Sequence, residues 1–177
     1  RGGSFELDRA VLERITAPVE HVLRNAVAHG IEPPQERIAA GKQEIGDIRI
    51  EVSQEGSEMR LAIADDGKGL DLERIRAKAG QMGLLPQGTE GAQASDEEVA
   101  DFIFHPGFST ASELTQSAGR GVGMDIVRSD VAGLGGRIEL QSERGKGLSI
   151  NLYLPLTLAV TQVVLVRVRE QLFALPS

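Results

Sequence analysis

The stretch HVLRNAVAHG, residues 21–30, places an asparagine in the middle of an apolar helical pattern. At about 100° per residue, one side of this helix carries only apolar residues, which are Val19, Val22, Leu23, Ala26 and Val27. His21, Asn25 and His29 recur at i, i+4 spacing, so they stack along the opposite, polar side. Asparagine is a poor helix former, which indicates that its amide has a use here. When the stretch is taken alone, a solvated helix face is the alternative explanation of the same pattern.

A second motif, DDGKG at residues 65–69, directly follows a predicted strand. One of its carboxylates can accept a hydrogen bond from an exocyclic amine, and its glycines would let the backbone approach a flat ring. Aspartate followed by glycine is also ordinary turn chemistry. The motif alone leaves the binding site and the plain turn as alternatives.

A third motif, GRGVG at residues 119–123, opens a predicted helix. Free backbone N–H groups and the positive end of a helix dipole suit a phosphate group. The motif is not a P-loop, because no Lys followed by Ser or Thr comes after the last glycine. It follows a loop and not a strand, which argues against the dinucleotide-binding fingerprint. A flexible hinge remains the alternative.

The composition excludes several function classes. The 177 residues include 19 Lys and Arg against 26 Asp and Glu, and the net charge of −7 argues against a nucleic-acid partner. The absence of cysteine excludes a disulfide framework, a thiolate metal site and a thiol nucleophile. No apolar run is long enough to span a membrane, and no signal-peptide pattern opens the chain. We therefore expect a cytoplasmic protein without direct membrane insertion, and a first residue other than Met predicts an excised fragment.

The hydrophobic periodicity predicts alternating helices and hairpins. Thr16 is expected to cap a helix that begins at Pro18, and Ser95 with Glu98 forms a predicted capping box. The predicted elements are helices over 8–15, 18–29, 72–82, 96–103 and 124–134, hairpins over 48–63 and 138–154, and further strands from residue 160 onward. This order favours an α+β fold with helices on one face of a mixed or antiparallel sheet.

The order of the three motifs is more specific than any one of them. Asparagine on a helix, D-x-G-x-G after a strand, a loop with phenylalanine and G-x-G-x-G before a helix resemble the N, G1, F and G2 boxes of the GHKL ATP-binding fold. That superfamily includes histidine kinases, type II topoisomerases, Hsp90 and MutL. The longer stretches LRNAV, HGIE, PGFST and GRGVGMD resemble the kinase domain of CheA-type chemotaxis histidine kinases.

The resemblance extends from about Phe5 to Leu154 and implies a two-layer α/β sandwich with helices on one face of a mixed, mostly antiparallel sheet. It divides the chain into an ATP-binding histidine kinase catalytic domain over 1–154 and the start of a truncated CheW-like coupling domain over 155–177. The segment APVEH at 17–21 differs from the flagellar pattern and is similar to the hybrid kinases of type IV pilus or twitching systems.

The resemblance also implies roles for individual residues. Asn25 would supply an oxygen to Mg²⁺, and Asp65 would accept a hydrogen bond from the adenine amino group beside Gly67 and Gly69. His21 occupies the position of the acidic residue of ordinary sensor kinases, so it is the candidate base. Contacts to phosphate or to water on Mg²⁺ are implied for Arg24, His29, Arg74 and Lys78. Lid and nucleotide contacts are implied for Ser109, Thr110, Gly119, Arg120, Gly121, Val122, Gly123 and Met124.

The function implied is transfer of the ATP γ-phosphoryl group to a histidine on a separate phosphotransfer domain, with ATP and Mg²⁺ bound. The implied partners are that phosphotransfer domain, a downstream response regulator and, through the coupling domain, a CheW-like adaptor and a chemoreceptor. Two alternatives stay open. One is a GHKL ATPase that hydrolyses ATP to drive conformational change, and the other is a non-catalytic nucleotide-sensing scaffold.

Overall fold

A computed structural model describes residues 9–85, 94–108, 123–156, 163–168 and 171–176. Two β-hairpins form its main sheet: β1 (Ile48–Glu55) with β2 (Glu58–Asp65), and β3 (Arg137–Glu143) with β4 (Gly147–Pro155). The strand order is β1-β2-β4-β3. Every strand pairing within this sheet is antiparallel. Both predicted hairpins are therefore confirmed, and the two central strands come from different hairpins.

The helices cover one face of this sheet. They are α1 (Arg9–Asn25) with a π-helical turn over Ala26–Gly30, α2 (Pro34–Ala39), α3 (Leu72–Gln81), α4 (Asp96–Asp101) with a 3₁₀ turn over Phe102–Phe104, and α5 (Met124–Gly133). The capping box of Ser95 and Glu98 at the start of α4 is present as predicted. The observed elements confirm the α+β fold class.

The main hydrophobic core lies between the sheet and the pair α1 and α5. Its buried members share the inward face of their elements, namely Val11, Ile15, Val22, Met59, Leu61, Ile63, Val127, Val131, Leu134, Ile150, Leu152 and Leu154. A smaller cluster joins α3 and α4 through Ile75, Ala79, Val99 and Phe108. Because α1, β2 and α5 all contribute to one core, residues at their ends are held in a defined arrangement.

The first helix differs from the prediction of two helices separated at Thr16. Helix α1 continues through Pro18, whose ring is fully buried. Thr16 is not an N-cap, because its hydroxyl donates to the Leu12 carbonyl oxygen one turn earlier, at 2.8 Å. Burial of the proline ring offsets the lost backbone hydrogen bond that makes proline unfavourable inside a helix.

The end of the same helix also departs from a regular 3.6-residue period. The Ile31 N–H donates to the Ala26 carbonyl oxygen at 2.8 Å, which is the i to i+5 bond of a π-helical turn. Val27 was predicted on the core face, but it is 67% exposed. The prediction was wrong because the wider turn shifts the helical phase after Asn25.

The remaining strands, β5 (Val163–Val168) and β6 (Gln171–Pro176), form a separate antiparallel two-stranded sheet. Strands in this region were predicted, and their assignment to a coupling domain stays a prediction. Among the described residues, none of the helices combines the length and the apolar character needed to cross a membrane.

Candidate functional site

A cavity of about 700 Å³ opens at the end of α1 and the end of β2. It lies beside α3, the first residue of α5 and the turn between β3 and β4. The predicted site residues that line it are His21, Asn25, His29, Asp65, Gly69, Arg74, Gly123 and Met124. The structure thus brings together residues from all three sequence motifs, the third represented by the backbone of Gly123.

Asn25 is the last α-helical residue before the π-helical turn. Its amide nitrogen donates to the Met124 sulfur at 3.0 Å. A side-chain amide has one nitrogen and one oxygen, so this contact leaves Oδ1 available as an acceptor or metal ligand. Neutral amide oxygens are among the ligands that Mg²⁺ and Ca²⁺ accept. The free amide oxygen of Asn25 is therefore a suitable ligand atom for the predicted Mg²⁺.

Asp65 is the last residue of β2 and is half-buried in the cavity wall. The Gly67 N–H donates to its Oδ1 at 2.9 Å. A Cβ built on Gly30 would lie 3.2 Å from Oδ2, so the end of α1 approaches this carboxylate closely. Burial raises the pKa of Asp65, and the backbone N–H bonds from Gly67 and Leu148 act against that increase. The arrangement suits a carboxylate that accepts a hydrogen bond from a ligand.

The glycines of the DDGKG motif have a different steric role from the predicted one. A side chain on Gly67 would collide with the Gly30 carbonyl oxygen and would lie 2.8 Å from Asp65 Oδ1. Gly69 has φ +70°, and a Cβ there would lie 2.5 Å from the Glu143 carbonyl oxygen. The space that these glycines leave is therefore filled by the protein's own main chain, and Gly67 is not a lining residue of the cavity.

His21 is partly buried one turn before Asn25 on the same side of α1. Burial lowers the pKa of His21, the Arg24 charge lowers it further, and Asp125 partly compensates. The neutral imidazole is therefore favoured near pH 7, and it retains a ring nitrogen that can accept a proton.

The cationic residues are arranged only partly as predicted. Arg74 lines the cavity, whereas Arg24 is exposed and lies outside it. Lys78 does not line the cavity either, and its Nζ lies 5.5 Å from the Phe108 ring centroid. Lys68 and Arg144 also line the cavity, although both are exposed. The sequence alone predicts a solvated side chain for Lys68 and did not place either residue in the site.

Asp66 is directed away from the cavity. Its Oδ2 accepts from Arg37 Nη2 at 2.7 Å, and its Oδ1 accepts from the Asp47 N–H at 2.9 Å. Burial acts to raise the pKa of Asp66, but these hydrogen bonds and the Arg37 charge lower it below its ordinary value. Of the two adjacent aspartates, only Asp65 lines the cavity.

Six predicted residues lie outside the described part of the chain, namely Ser109, Thr110, Gly119, Arg120, Gly121 and Val122. Their contacts stay predictions. The flanking residues Phe108 and Gly123 are described, and both line the cavity.

Comparison with known proteins identifies the family of the chain. A profile of the histidine kinase-, DNA gyrase B-, and HSP90-like ATPases matches residues 15–158. The chain belongs to this ATPase family. Membership supports ATP binding by the chain.

Within this ATPase family, chemotaxis proteins are similar along nearly the whole chain. Chemotaxis protein CheA of Klebsiella aerogenes is 46% identical over 176 residues, which are 99% of this chain and 26% of that protein. CheA of Salmonella typhimurium is 43% identical over 175 residues, again 99% and 26%. The chain thus spans about a quarter of the length of these relatives. The predicted resemblance to the ATP-binding domain of CheA-type histidine kinases is confirmed.

A solved structure was also matched. The blue-light activated histidine kinase of Erythrobacter litoralis EL346 aligns with a TM-score of 0.48 and 18% identity. The alignment covers 88% of this chain and 34% of that one.

Proposed function

We propose that this chain is the ATP-binding catalytic domain of a CheA-type histidine kinase and transfers the ATP γ-phosphoryl group to a histidine on a separate phosphotransfer domain. One observation carries the proposal: His21 and Asn25 on α1 line one cavity together with Asp65, which lies 40 residues further along the chain than Asn25. The similarity to CheA proteins supports the same assignment. Because the chain spans about a quarter of the length of those proteins, the phosphotransfer domain is expected in another segment or on another chain.

The residues of the cavity divide the work of phosphoryl transfer. Asp65 would recognise the adenine amino group, and Arg74 together with Lys68 and Arg144 would offset the charge of the phosphates. Asn25 Oδ1 would hold Mg²⁺, which neutralises phosphate charge when it is bound. Positioning and charge neutralisation supply most of the catalysis in such reactions.

His21 is proposed as the base of the reaction. A nitrogen of the acceptor histidine would form the new bond to the γ-phosphorus, the bond to the bridging oxygen would break, and ADP would leave. The lowered pKa of His21, due first to burial, keeps its ring ready to accept a proton near pH 7. This histidine distinguishes the proposed kinase from an ATPase with an acidic base.

Partners of the whole protein are also proposals. CheA-type relatives suggest a histidine phosphotransfer domain as substrate, a response regulator downstream, and a CheW-like adaptor with a chemoreceptor. The hairpin of β5 and β6 is proposed as the first part of the coupling domain that would contact the adaptor.

The direct test mixes the chain with candidate histidine phosphotransfer domains and γ-labelled ATP in the presence of Mg²⁺. Label on a histidine of the added domain supports the proposed kinase. Release of labelled phosphate without labelled protein would support the ATPase alternative, and nucleotide binding without either product would support a sensing scaffold.

Asp65→Asn is expected to weaken ATP binding by roughly 1 to 3 kcal/mol, the range for loss of a charge-assisted hydrogen bond at a desolvated site. The new amide would present a donor where the adenine amino group also donates. Calorimetric titration with ATP measures the effect. Asp47→Asn is the matched control, because the Asp47 carboxylate is exposed at the surface and outside the cavity. Equal affinities for the parent and the Asp65 variant would reject the adenine-reading role.

Asn25→Ala and His21→Ala should separate binding from chemistry. Asn25→Ala removes the proposed Mg²⁺ oxygen, so both metal-dependent ATP affinity and phosphotransfer should fall. His21→Ala should leave affinity near that of the parent and slow transfer by about 10²- to 10⁴-fold, the usual contribution of a general base. Single-turnover transfer to a supplied phosphotransfer domain measures the rate. Transfer at the parent rate by the His21 variant would show that His21 is only a partly solvated helix residue.

A further inference from the structure

A cluster of four charged residues lies directly behind the wall of the cavity. Arg37 pairs with Glu32 at 3.1 Å and with Asp66 at 2.7 Å, and Lys42 pairs with Glu32 at 2.6 Å. The side chains of Arg37, Glu32 and Lys42 are 1%, 10% and 16% exposed, respectively. None of the four lines the cavity. Their charges are therefore directed at one another and at the protein main chain.

Lys42 uses its ammonium group on the loop that follows β2. Its Nζ donates to the Asp66 carbonyl oxygen at 2.9 Å, to the Gly67 carbonyl oxygen at 2.7 Å and to Glu32 Oε1 at 2.6 Å. An ammonium group has three donors, so these three acceptors satisfy it completely. Two successive peptide groups of the loop are thus held by one side chain.

The same loop orients Asp65. The Gly67 N–H donates to Asp65 Oδ1 at 2.9 Å, and the Lys68 N–H donates to the Gly30 carbonyl oxygen at 3.0 Å. The first bond sets the direction of the carboxylate, and the second joins the loop to the end of α1. A displacement of the Gly67 peptide would therefore rotate the Asp65 side chain out of its position in the cavity wall.

We propose that Lys42 is a positioning residue for the base of the bound nucleotide. Together with Glu32 and Arg37, it holds the Asp66–Gly67 main chain in the conformation that presents Asp65 to an adenine ring. This inference rests on the proposed ATP-binding function. Asp65 is the residue that would contact the adenine, and Lys42, which does not line the cavity, acts through the main chain that orients Asp65.

The test compares a ligand that contains the base with one that lacks it. Mg-ATP and Mg-tripolyphosphate are titrated calorimetrically into the parent chain and into Lys42→Met, at a temperature where circular dichroism shows both to be folded. The variant should bind Mg-ATP about tenfold more weakly, which is at the lower end of the affinity loss known for residues that hydrogen-bond to a metal ligand from behind. Its affinity for Mg-tripolyphosphate should be unchanged. Lys146→Met is the matched control, since the exposed Lys146 pairs with Glu143 on the surface.

The lack of cysteine allows a chemical rescue. Lys42→Cys can be alkylated with 2-bromoethylamine at its single thiol, which rebuilds a side chain of the same length with a terminal ammonium. Alkylation should restore the Mg-ATP affinity that the unmodified cysteine variant lacks. Glu32→Gln is a second variant that perturbs Lys42 without removing it. It should also weaken Mg-ATP binding selectively, but by a smaller factor than Lys42→Met.

The results separate this inference from the function on which it rests. A parent chain that does not bind Mg-ATP would overturn both. A parent chain that binds Mg-ATP, with a folded Lys42→Met variant of equal affinity or with equal losses for both ligands, would overturn the inference alone. If Lys42→Met does not fold, an unaltered Mg-ATP affinity of Glu32→Gln, or alkylation without effect, would overturn it.

Discussion

Arg37→Met is expected to lower the thermal unfolding midpoint by on the order of 10 °C, because removal of one partner from a buried ion pair leaves uncompensated charge. Arg37 is 1% exposed, and its guanidinium donates to Glu32, to Asp66 and to the Gln43 carbonyl oxygen. Methionine fills a similar volume but satisfies none of these acceptors. Differential scanning calorimetry of the parent and the variant measures the change.

The loss of stability caused by Arg37→Met should depend on pH in a defined direction. Burial acts to raise the pKa values of Glu32 and Asp66, but hydrogen bonds and the charges of Lys42 and Arg37 lower both below their ordinary values of 4.5 and 3.8. A lowered carboxyl pKa in the folded state contributes stability that is present above the ordinary value and is lost as the pH falls through the folded value. The difference between parent and variant should therefore be full at pH 7 and should shrink below pH 4.

Arg49→Met is the matched control for this prediction. Arg49 pairs with Asp47 at 3.4 Å, but the two side chains are 67% and 66% exposed. Exposed ion pairs contribute little to stability, so the midpoint should stay near that of the parent. Equal shifts of the unfolding midpoint for the two arginine variants would contradict the view that burial makes the Arg37 ion pairs important for stability.

Gly147→Ala is expected to destabilise the chain by about 2 to 5 kcal/mol, the sum of strained backbone and overpacking. Gly147 has φ +119°, and a Cβ there would collide with the Asp65 carbonyl oxygen and lie 3.0 Å from the Asp66 Cα. The obstacle is main chain, which cannot rotate away as a flexible side chain would. The displaced end of β2 should also weaken ATP binding. Chemical denaturation and ATP titration measure the two effects.

Gly145→Ala separates the two causes of that effect. Gly145 lies in the same turn with φ +80°, but nothing lies within 4 Å of its added Cβ. It should incur only the backbone strain, about 1 to 2 kcal/mol. A Gly145 variant as unstable as the Gly147 variant would show that contact with Asp65 is unimportant.

Local pattern was sufficient for most of the secondary structure. Alternation of apolar and polar residues predicted both hairpins of the main sheet, and the pair of Ser95 and Glu98 predicted the start of α4. The pattern was insufficient around Pro18 and Val27. There, burial of a proline ring and a π-helical turn outweighed the propensities of the residues.

The candidate site was predictable in its parts because the residue types themselves limit the chemistry. Asparagine within a helix is an unusual choice unless its amide is used, and Asn25 lines the cavity together with Asp65, the first residue of the DDGKG motif. Arg37 and Lys42 were not predicted, because a charge in a loop with prolines and glycines is normally solvated. Their burial follows from the close approach of α2 to the loop after β2.

The sequence by itself determined most of the regular elements and the residue types available for the proposed chemistry, because helical and strand periods and side-chain functional groups are local properties of the chain. Only the tertiary structure decided how those groups are oriented. Asn25 is oriented by Met124, 99 residues away along the chain, and Asp65 is held through a loop that Lys42 binds from behind. Such contacts depend on packing between distant segments, and no local pattern of residues specifies which distant side chain will arrive at a given main-chain atom.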